Sequence, residues 1–292
     1  MTWVITGGSG QLGKAFQENL RKSKIKFYAF DRREVNITRP KDFEKLLSVN
    51  PNVIVNCAAW TDVDGAESNH DGALAINRDG VKNLADLARI RKISLVHISS
   101  DYVFSGSKRT PWKIFDERKP VNFYGESKMA GEKVLAESFC EGAHVFRTAW
   151  LYSPWNRNFA KTMVKRALLG QESQVVEDQI GQPTSAVELA LQIQKAIELE
   201  IPPGTYHLTN SGSASWFDFA KELYRLTGAD TSLVTPVTSS EFPTRAVRPK
   251  YSVLDESTFL DRGIPKMRVW NAALTDAFPR ILANTKKEVS NG

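Results

Sequence analysis

The chain has 292 residues, 41% hydrophobic and 25% charged, which excludes a disordered or collagen-like polymer and leaves room for one large core or two unequal ones. Its 39 basic and 33 acidic side chains give a net charge of +6, a surplus that belongs to a solvated surface, a pocket for anionic small molecules, or a nucleic-acid face. The densest basic stretch, Arg21, Lys22, Lys24 and Lys26, reads as the exposed end of a helix without interleaved aromatics, so no nucleic-acid partner is expected. Cys57 and Cys140 are the only cysteines and cannot build a disulfide framework. Met1-Thr-Trp-Val-Ile-Thr6 runs directly into a strand pattern, with no charged-then-apolar leader. No apolar run approaches the roughly 18 residues of a membrane span. A cytoplasmic protein with no membrane partner is expected.

Short β-branched or aromatic runs then alternate with amphipathic ones. Trp3-Val4-Ile5 predicts a strand ending at Thr6, and Leu12, Ala15, Phe16 and Leu20 follow at helical spacing. Phe27–Phe30 is a second strand, and Pro40 opens a helix with Phe43, Leu46 and Leu47 on its apolar side. Val53-Ile54-Val55, then Leu95–Ile98, then Val145-Phe146 are further strands; helices carry Val81, Leu84, Ala85 and Ala88, and residues 124–138. This alternation predicts an α/β fold with a doubly wound parallel sheet and right-handed crossovers. Beyond residue 150 the pattern loosens into helices near 157–169, 186–199 and 215–227, and the polar tail after Leu282 is expected to fray.

Gly7-Gly-Ser-Gly10-Gln11-Leu12-Gly13 separates the first strand from the first helix. Glycine permits the tight turn and lets backbone N–H groups approach a pyrophosphate, toward which the helix N-terminus points its partial positive charge. In that strand-to-helix setting the loop predicts dinucleotide binding through Gly7, Gly10, Gln11, Leu12 and Gly13. Residues 1–150 therefore read as an NAD(P)-binding Rossmann domain, with part of about 177–200 returning to it; residues 151–292 read mainly as a smaller substrate lobe. Asp31 lies eighteen residues after Gly13, where a carboxylate would accept the ribose hydroxyls of NADH. Arg32 and Arg33 follow, and either could hold the 2′-phosphate of NADPH or be a solvated turn. Use of both cofactors is expected, with NADPH favoured.

Tyr124-Gly-Glu-Ser-Lys128 places a phenol and an ammonium one helical turn apart. A tyrosine donates a proton to a developing alkoxide, and a nearby lysine favours its ionised form. Ser100 ends the fourth strand, on the edge where open α/β sheets bind ligands, and its hydroxyl could hold a carbonyl oxygen.

The glycine loop, Ser100, Tyr124 and Lys128, in this order, resemble the extended short-chain dehydrogenase/reductase superfamily. Asn56-Cys-Ala-Ala-Trp-Thr-Asp-Val-Asp-Gly-Ala-Glu67, Ser99-Ser-Asp-Tyr-Val-Phe104, Tyr124-Gly-Glu-Ser-Lys-Met-Ala-Gly-Glu132 and Arg147-Thr-Ala-Trp-Leu-Tyr152 narrow the likeness. So do Asn158-Phe-Ala-Lys-Thr-Met163, Asp178-Gln-Ile-Gly-Gln-Pro-Thr184 and Arg248-Pro-Lys-Tyr-Ser252. From about residue 2 to about 280 the chain resembles the dTDP-4-dehydrorhamnose reductase family.

The resemblance implies reduction of the C4 ketone of a dTDP-6-deoxy-4-keto sugar, giving dTDP-L-rhamnose for cell-surface polysaccharides. It implies that Tyr124 is the proton donor, that Lys128 tunes it and anchors the cofactor ribose, and that Ser100 stands where many members have threonine. Ser99, Asp101 and Tyr102 would line the sugar site, with Trp150 closing over it. Cys57, Ala58, Ala59 and Thr61 would border the cofactor, and Asn158 and Arg248 the nucleotide-diphosphate. Plainer readings stand beside three of these: Trp150 as a core aromatic, Asp101 as a turn cap, Arg248 as a surface ion pair.

Some members of the family dimerise through Mg²⁺ held by glutamates, one of them in the first helix. Here that stretch reads Lys14-Ala-Phe-Gln-Glu18, without the corresponding acid, and Glu188 alone would not hold the ion. The histidines show no metal-ligand spacing. A monomer or weak homodimer without a catalytic metal is expected. Two rivals share the resemblance. One is a nucleotide-sugar epimerase or dehydratase, although Asp101 is followed by Tyr102 rather than by the glutamate a dehydratase needs. The other is a non-catalytic subunit like the regulatory β subunit of methionine adenosyltransferase.

Overall fold

The computed structural model describes residues 1–257 and 264–290. Strands β1 (Trp3–Thr6), β2 (Phe27–Phe30), β3 (Val53–Asn56), β4 (Ser94–Ser100) and β5 (Ala143–Thr148) form one parallel sheet with Gly204–His207, in the order Gly204–His207, β5, β4, β3, β1, β2. Strands covered on both faces are apolar throughout, and β1 and β3 are buried along their whole length. The chain order reverses across β1 and β3, the switch point at which such sheets open a crevice beyond their C-terminal ends.

Helices α1 (Gln11–Lys22), α2 (Phe43–Leu47), α3 (Val63–Ala66), α4 (His70–Leu74), α5 (Gly80–Arg91) and α6 (Phe123–Phe139) belong to the first lobe. Leu12, Ala15, Phe16 and Leu20 of α1 pack with Trp3 and Ile5 on one face of the sheet. Val81, Leu84, Ala85 and Ala88 of α5 and Leu135 of α6 pack with Val4 and Ile54 on the other. Pro40 opens a single 3₁₀ turn before α2. The short helices α3 and α4, unread in the sequence, form because Asp62 and Asn69 each accept the N–H of the glycine three residues on, Gly65 and Gly72, at 2.9 Å.

In the C-terminal half, α7 (Phe159–Leu168), α8 (Ala186–Glu198) and α9 (Trp216–Thr227) match the predicted helices closely. Helix α8 lies against α1, its Leu189, Ala190 and Ile193 joining the core of the first lobe. Helices α7, α9 and the C-terminal helix Trp270–Ser290 enclose a separate core around Val164, Phe219, Leu223 and Ile281. The tail does not fray within the described residues: it stays helical to Ser290. Its polar side chains are anchors, with Asn284 donating to the Pro154 carbonyl at 3.0 Å, Thr285 buried, and Glu288 paired with Lys161. Among the described residues no helix is long and apolar enough to cross a membrane.

Candidate active site

A cavity of about 690 Å³ opens beyond the C-terminal ends of β1, β3, β4 and β5 and is walled on its far side by α7 and α9. The glycine loop forms its floor. Gly7 has φ +67°, and a Cβ there would stand 2.6 Å from the Ala58 nitrogen, so only glycine fits between the loop and the end of β3. Gly7, Gly10, Gln11 and Leu12 line the cavity, whereas Gly13 does not. A Cβ on Gly13 would stand 2.5 Å from the Gly7 carbonyl; its role is close helix-to-loop packing. No side chain caps α1, and its first turn holds no acid. Its leading N–H groups are therefore available to an anion, which suits a dinucleotide pyrophosphate. Cys57, Ala58, Ala59 and Thr61 continue the same wall. Burial pushes the Cys57 thiol far up, so it is an inert neutral wall.

The triplet after β2 divides unexpectedly. Asp31 accepts the Arg33 backbone N–H at 2.8 Å and its guanidinium at 2.8 Å. That hydrogen bonding holds the Asp31 carboxyl below its usual range. Arg33 is thus turned toward Asp31 and solvent, and of the three only Arg32 lines the cavity. Asp31 and Arg33 thus form a local ion pair in a tight turn.

At the centre, Tyr124 comes from the first turn of α6, which Asn122 caps by accepting the Gly125 N–H at 2.8 Å. The Ser100 hydroxyl donates to Asp101 Oδ1 at 2.8 Å, accepts the Tyr102 N–H at 3.1 Å, and is hydrogen-bonded to Tyr124. The rings of Tyr102 and Tyr124 meet edge to face with centroids 5.7 Å apart. Burial pushes Tyr124 up to about 12, against the opposing bond from Ser100. Lys128 is buried, donates to the Ile98 carbonyl at 2.6 Å, and is pushed down to about 8 by burial. Lys128 is engaged by this backbone oxygen, and burial is the largest influence on the Tyr124 phenol. Asp101 is likewise buried, and burial raises it to about 6 despite hydrogen bonds from Ser252 and Ser100.

The remaining predicted residues separate by what holds them. Ser99 borders the cavity, but its hydroxyl is committed to Glu132 at 2.5 Å. Glu132 in turn binds Arg147 at 2.7 Å and Arg118 at 3.0 Å. Successive residues of a strand face opposite sides, so Ser99 ties β4 to this buried charge cluster while Ser100 serves the cavity. Asn158 lines the cavity, caps α7 by accepting the Lys161 N–H at 3.1 Å and donates to Gln11 Oε1 at 2.9 Å, which ties it to the glycine loop. Arg248 is bidentate with Asp64, at 2.8 and 2.7 Å, and does not line the cavity. That bonding lowers Asp64 to about 2. This ion pair ties the strand-poor segment around Arg248 to α3, and Arg248 also hydrogen-bonds Tyr102, which lines the cavity.

Trp150 lines the cavity with φ +45°, an uncommon backbone state for a bulky residue. Its ring is stacked on Trp216, centroids 3.6 Å apart and planes 7° from parallel. Gly181 makes room for it: a Cβ there would come within 2.4 Å of the indole. Trp216, with Phe159 and Phe219, gives the cavity an aromatic wall that was not anticipated from the sequence. The available signal was the capping box, in which Ser215 and Asp218 fix the start of α9 and set Trp216 at its first position. Glu188 is engaged by Asn210 at 2.7 Å and by Arg268. Among the described residues no group of three or more His, Cys, Asp or Glu side chains is placed to hold a metal.

A family model described as RmlD substrate binding domain matches residues 1–282. The chain belongs to this family. Among curated relatives, dTDP-4-keto-6-deoxy-D-glucose reductase of Streptomyces niveus is 38% identical over 97% of this chain and 98% of its own. The dTDP-4-dehydrorhamnose reductase of Streptomyces griseus is 37% identical over 98% of this chain and 96% of its own. A crystal structure of dTDP-4-dehydrorhamnose reductase from Bacillus anthracis in complex with NADP superposes with a TM-score of 0.91 at 38% identity, covering 95% of this chain and 98% of that one. The RmlD family match spans both lobes, so the cavity between them lies wholly within it.

Proposed function

We propose that this chain reduces the C4 ketone of dTDP-4-dehydro-L-rhamnose to dTDP-L-rhamnose with NADPH, and with NADH less well, for cell-surface polysaccharide synthesis. The observation that carries the reading is the convergence of Ser100, Tyr124 and Lys128 with the glycine loop on one cavity, in a chain of this family. When bound, the nicotinamide supplies the hydride. Tyr124, kept protonated at neutral pH by its raised pKa, donates its phenolic proton to the C4 oxygen. Ser100, already bonded to that phenol, aligns it and offers a hydroxyl to the same oxygen. Lys128 and Arg32 both line the cavity; Lys128 would hold positive charge toward the nicotinamide ribose, and Arg32 would take the 2′-phosphate. Gly7, Gly10, Gln11, Leu12, Cys57, Ala58, Ala59 and Thr61 make the cofactor wall. Asp101 and Tyr102 border the sugar, and Trp150, on Trp216, excludes water from it.

The 4-keto-6-deoxy-D-glucose isomer is a second reading, favoured by the name of the S. niveus relative. The chain acts as a monomer or weak homodimer in the cytoplasm. Supplying NADPH or NADH with each dTDP-4-keto sugar, following loss of reduced-nicotinamide absorbance and identifying the product by NMR tests the reading. Tightly retained NAD without net reduction would instead indicate an epimerase. A stoichiometric transferase partner without keto-sugar turnover would indicate a regulatory subunit.

A further inference from the structure

The loop that enters α7 is fastened to the glycine loop by side chains. Asn156 donates to the Ser9 carbonyl at 2.9 Å and accepts from Lys14 Nζ at 3.0 Å. Ser153 and Asn158 both donate to Gln11 Oε1 at 2.9 Å. Asn156 holds φ +55°, a left-handed turn to which asparagine is well suited. Between these two fastened asparagines stands Arg157. It is exposed and lines the cavity, and among the described residues no acid or carbonyl engages its guanidinium. Among the described residues, the basic side chains that border the cavity are Arg32, Lys128 and Arg157. Arg32 follows β2, Lys128 sits at the catalytic centre, and Arg157 is carried by the loop tied to the glycine loop.

We infer that the 153–158 loop and the glycine loop form one phosphate clamp, in which Arg157 binds a pyrophosphate bridging the two lobes. A guanidinium presents a planar fork to phosphate oxygens and keeps its charge at every working pH. Holding its neighbours rigidly on both sides lowers the entropy lost when the side chain closes on an anion. The pyrophosphate belongs either to the dinucleotide or to the dTDP-sugar, and the chemistry recognised is the same. This inference rests on the proposed function.

The test measures binding of NADP⁺ and of dTDP to the wild type and to Arg157→Ala by calorimetry, with thermal unfolding of both proteins alongside. Loss of one exposed charge-assisted contact weakens binding by about tenfold. The loss should shrink as salt is raised. Weakened NADP⁺ binding assigns the clamp to the cofactor, weakened dTDP binding assigns it to the sugar nucleotide, and each supports the inference. Arg157→Lys should recover part of the affinity, and the unfolding temperature should not move, because the side chain is exposed and holds nothing in the fold. If the wild type binds both ligands and Arg157→Ala binds them equally well, this inference falls while the functional reading stands. If the wild type binds neither, both fall.

Discussion

Gly181→Ala tests how the aromatic wall is built. Gly181 is buried and pairs with Ala214 in a short antiparallel ladder, and its φ lies outside the left-handed region that only glycine tolerates. With no neighbour in the way, alanine would therefore stabilise the protein, by about 0.4–1 kcal/mol through the unfolded chain and by about 0.8 kcal/mol through burial of a methyl group. The new Cβ, however, would meet three atoms of the Trp150 indole at 2.4, 2.6 and 2.7 Å. These distances are about 1 Å inside normal contact. The ring must move, and because it is stacked on Trp216, movement sacrifices a stack worth about 0.5–1.5 kcal/mol. Overpacking adds about 1–3 kcal/mol. The unfavourable contributions exceed the favourable ones, and a net destabilisation of about 1 kcal/mol follows. Displacing Trp150 also disturbs the cavity wall, so on the proposed function KM for the keto sugar should rise by about tenfold while KM for NADPH changes little. Urea unfolding, tryptophan fluorescence and steady-state kinetics read these effects. Pairing the substitution with Trp216→Leu, which frees the indole, should give less than the sum of the two single effects. A Gly181→Ala protein as stable as the wild type, with unchanged fluorescence and sugar KM, would refute the packing argument.

Tyr124→Phe should lower kcat by about 10²-fold or more while NADP⁺ binding survives; a loss smaller than tenfold would move the proton donor elsewhere. Arg32→Ala should raise KM for NADPH by about tenfold and leave KM for NADH nearly unchanged. Arg33→Ala should change neither by more than about twofold, because its guanidinium is engaged by Asp31; the reverse ranking would show that the turn reorganises around the cofactor. Lys128, lowered to about 8 by burial, is an ammonium below that pH and neutral above it. The kcat/KM for NADPH should therefore fall by roughly tenfold per unit as pH rises beyond about 8. Lys128→Met should be slow at all pH values and lack that limb. Persistence of the same limb in Lys128→Met would assign it to another group.

Much of this site was legible because local patterns dictated it. A buried strand, a glycine turn and an amphipathic helix follow one another within Trp3–Lys22, and each is set by neighbours only a few residues away. Tyr124 and Lys128 share a helix, and Ser100 ends a strand, so their approach to one cavity followed once the sheet was parallel. The partner of Arg248 was not legible, because a charged side chain turns toward whatever partner the fold brings near. Asp64 lies 184 positions from Arg248, and no spacing rule connects them. The same holds for Trp216 against Trp150, for the Glu132–Arg147 pair, and for the tail whose polar residues looked solvated but are held by Pro154 and Lys161.

Sequence alone thus determined the sheet, the glycine loop and the convergence of Ser100, Tyr124 and Lys128, since period, glycine geometry and functional-group chemistry act over one or two turns of chain. Tertiary structure decided which cations border the cavity, in which direction burial moves Tyr124, Lys128 and Asp101, and which aromatic residues wall it. Desolvation and long-range pairing depend on what is packed around a group, and that is settled only when distant segments meet.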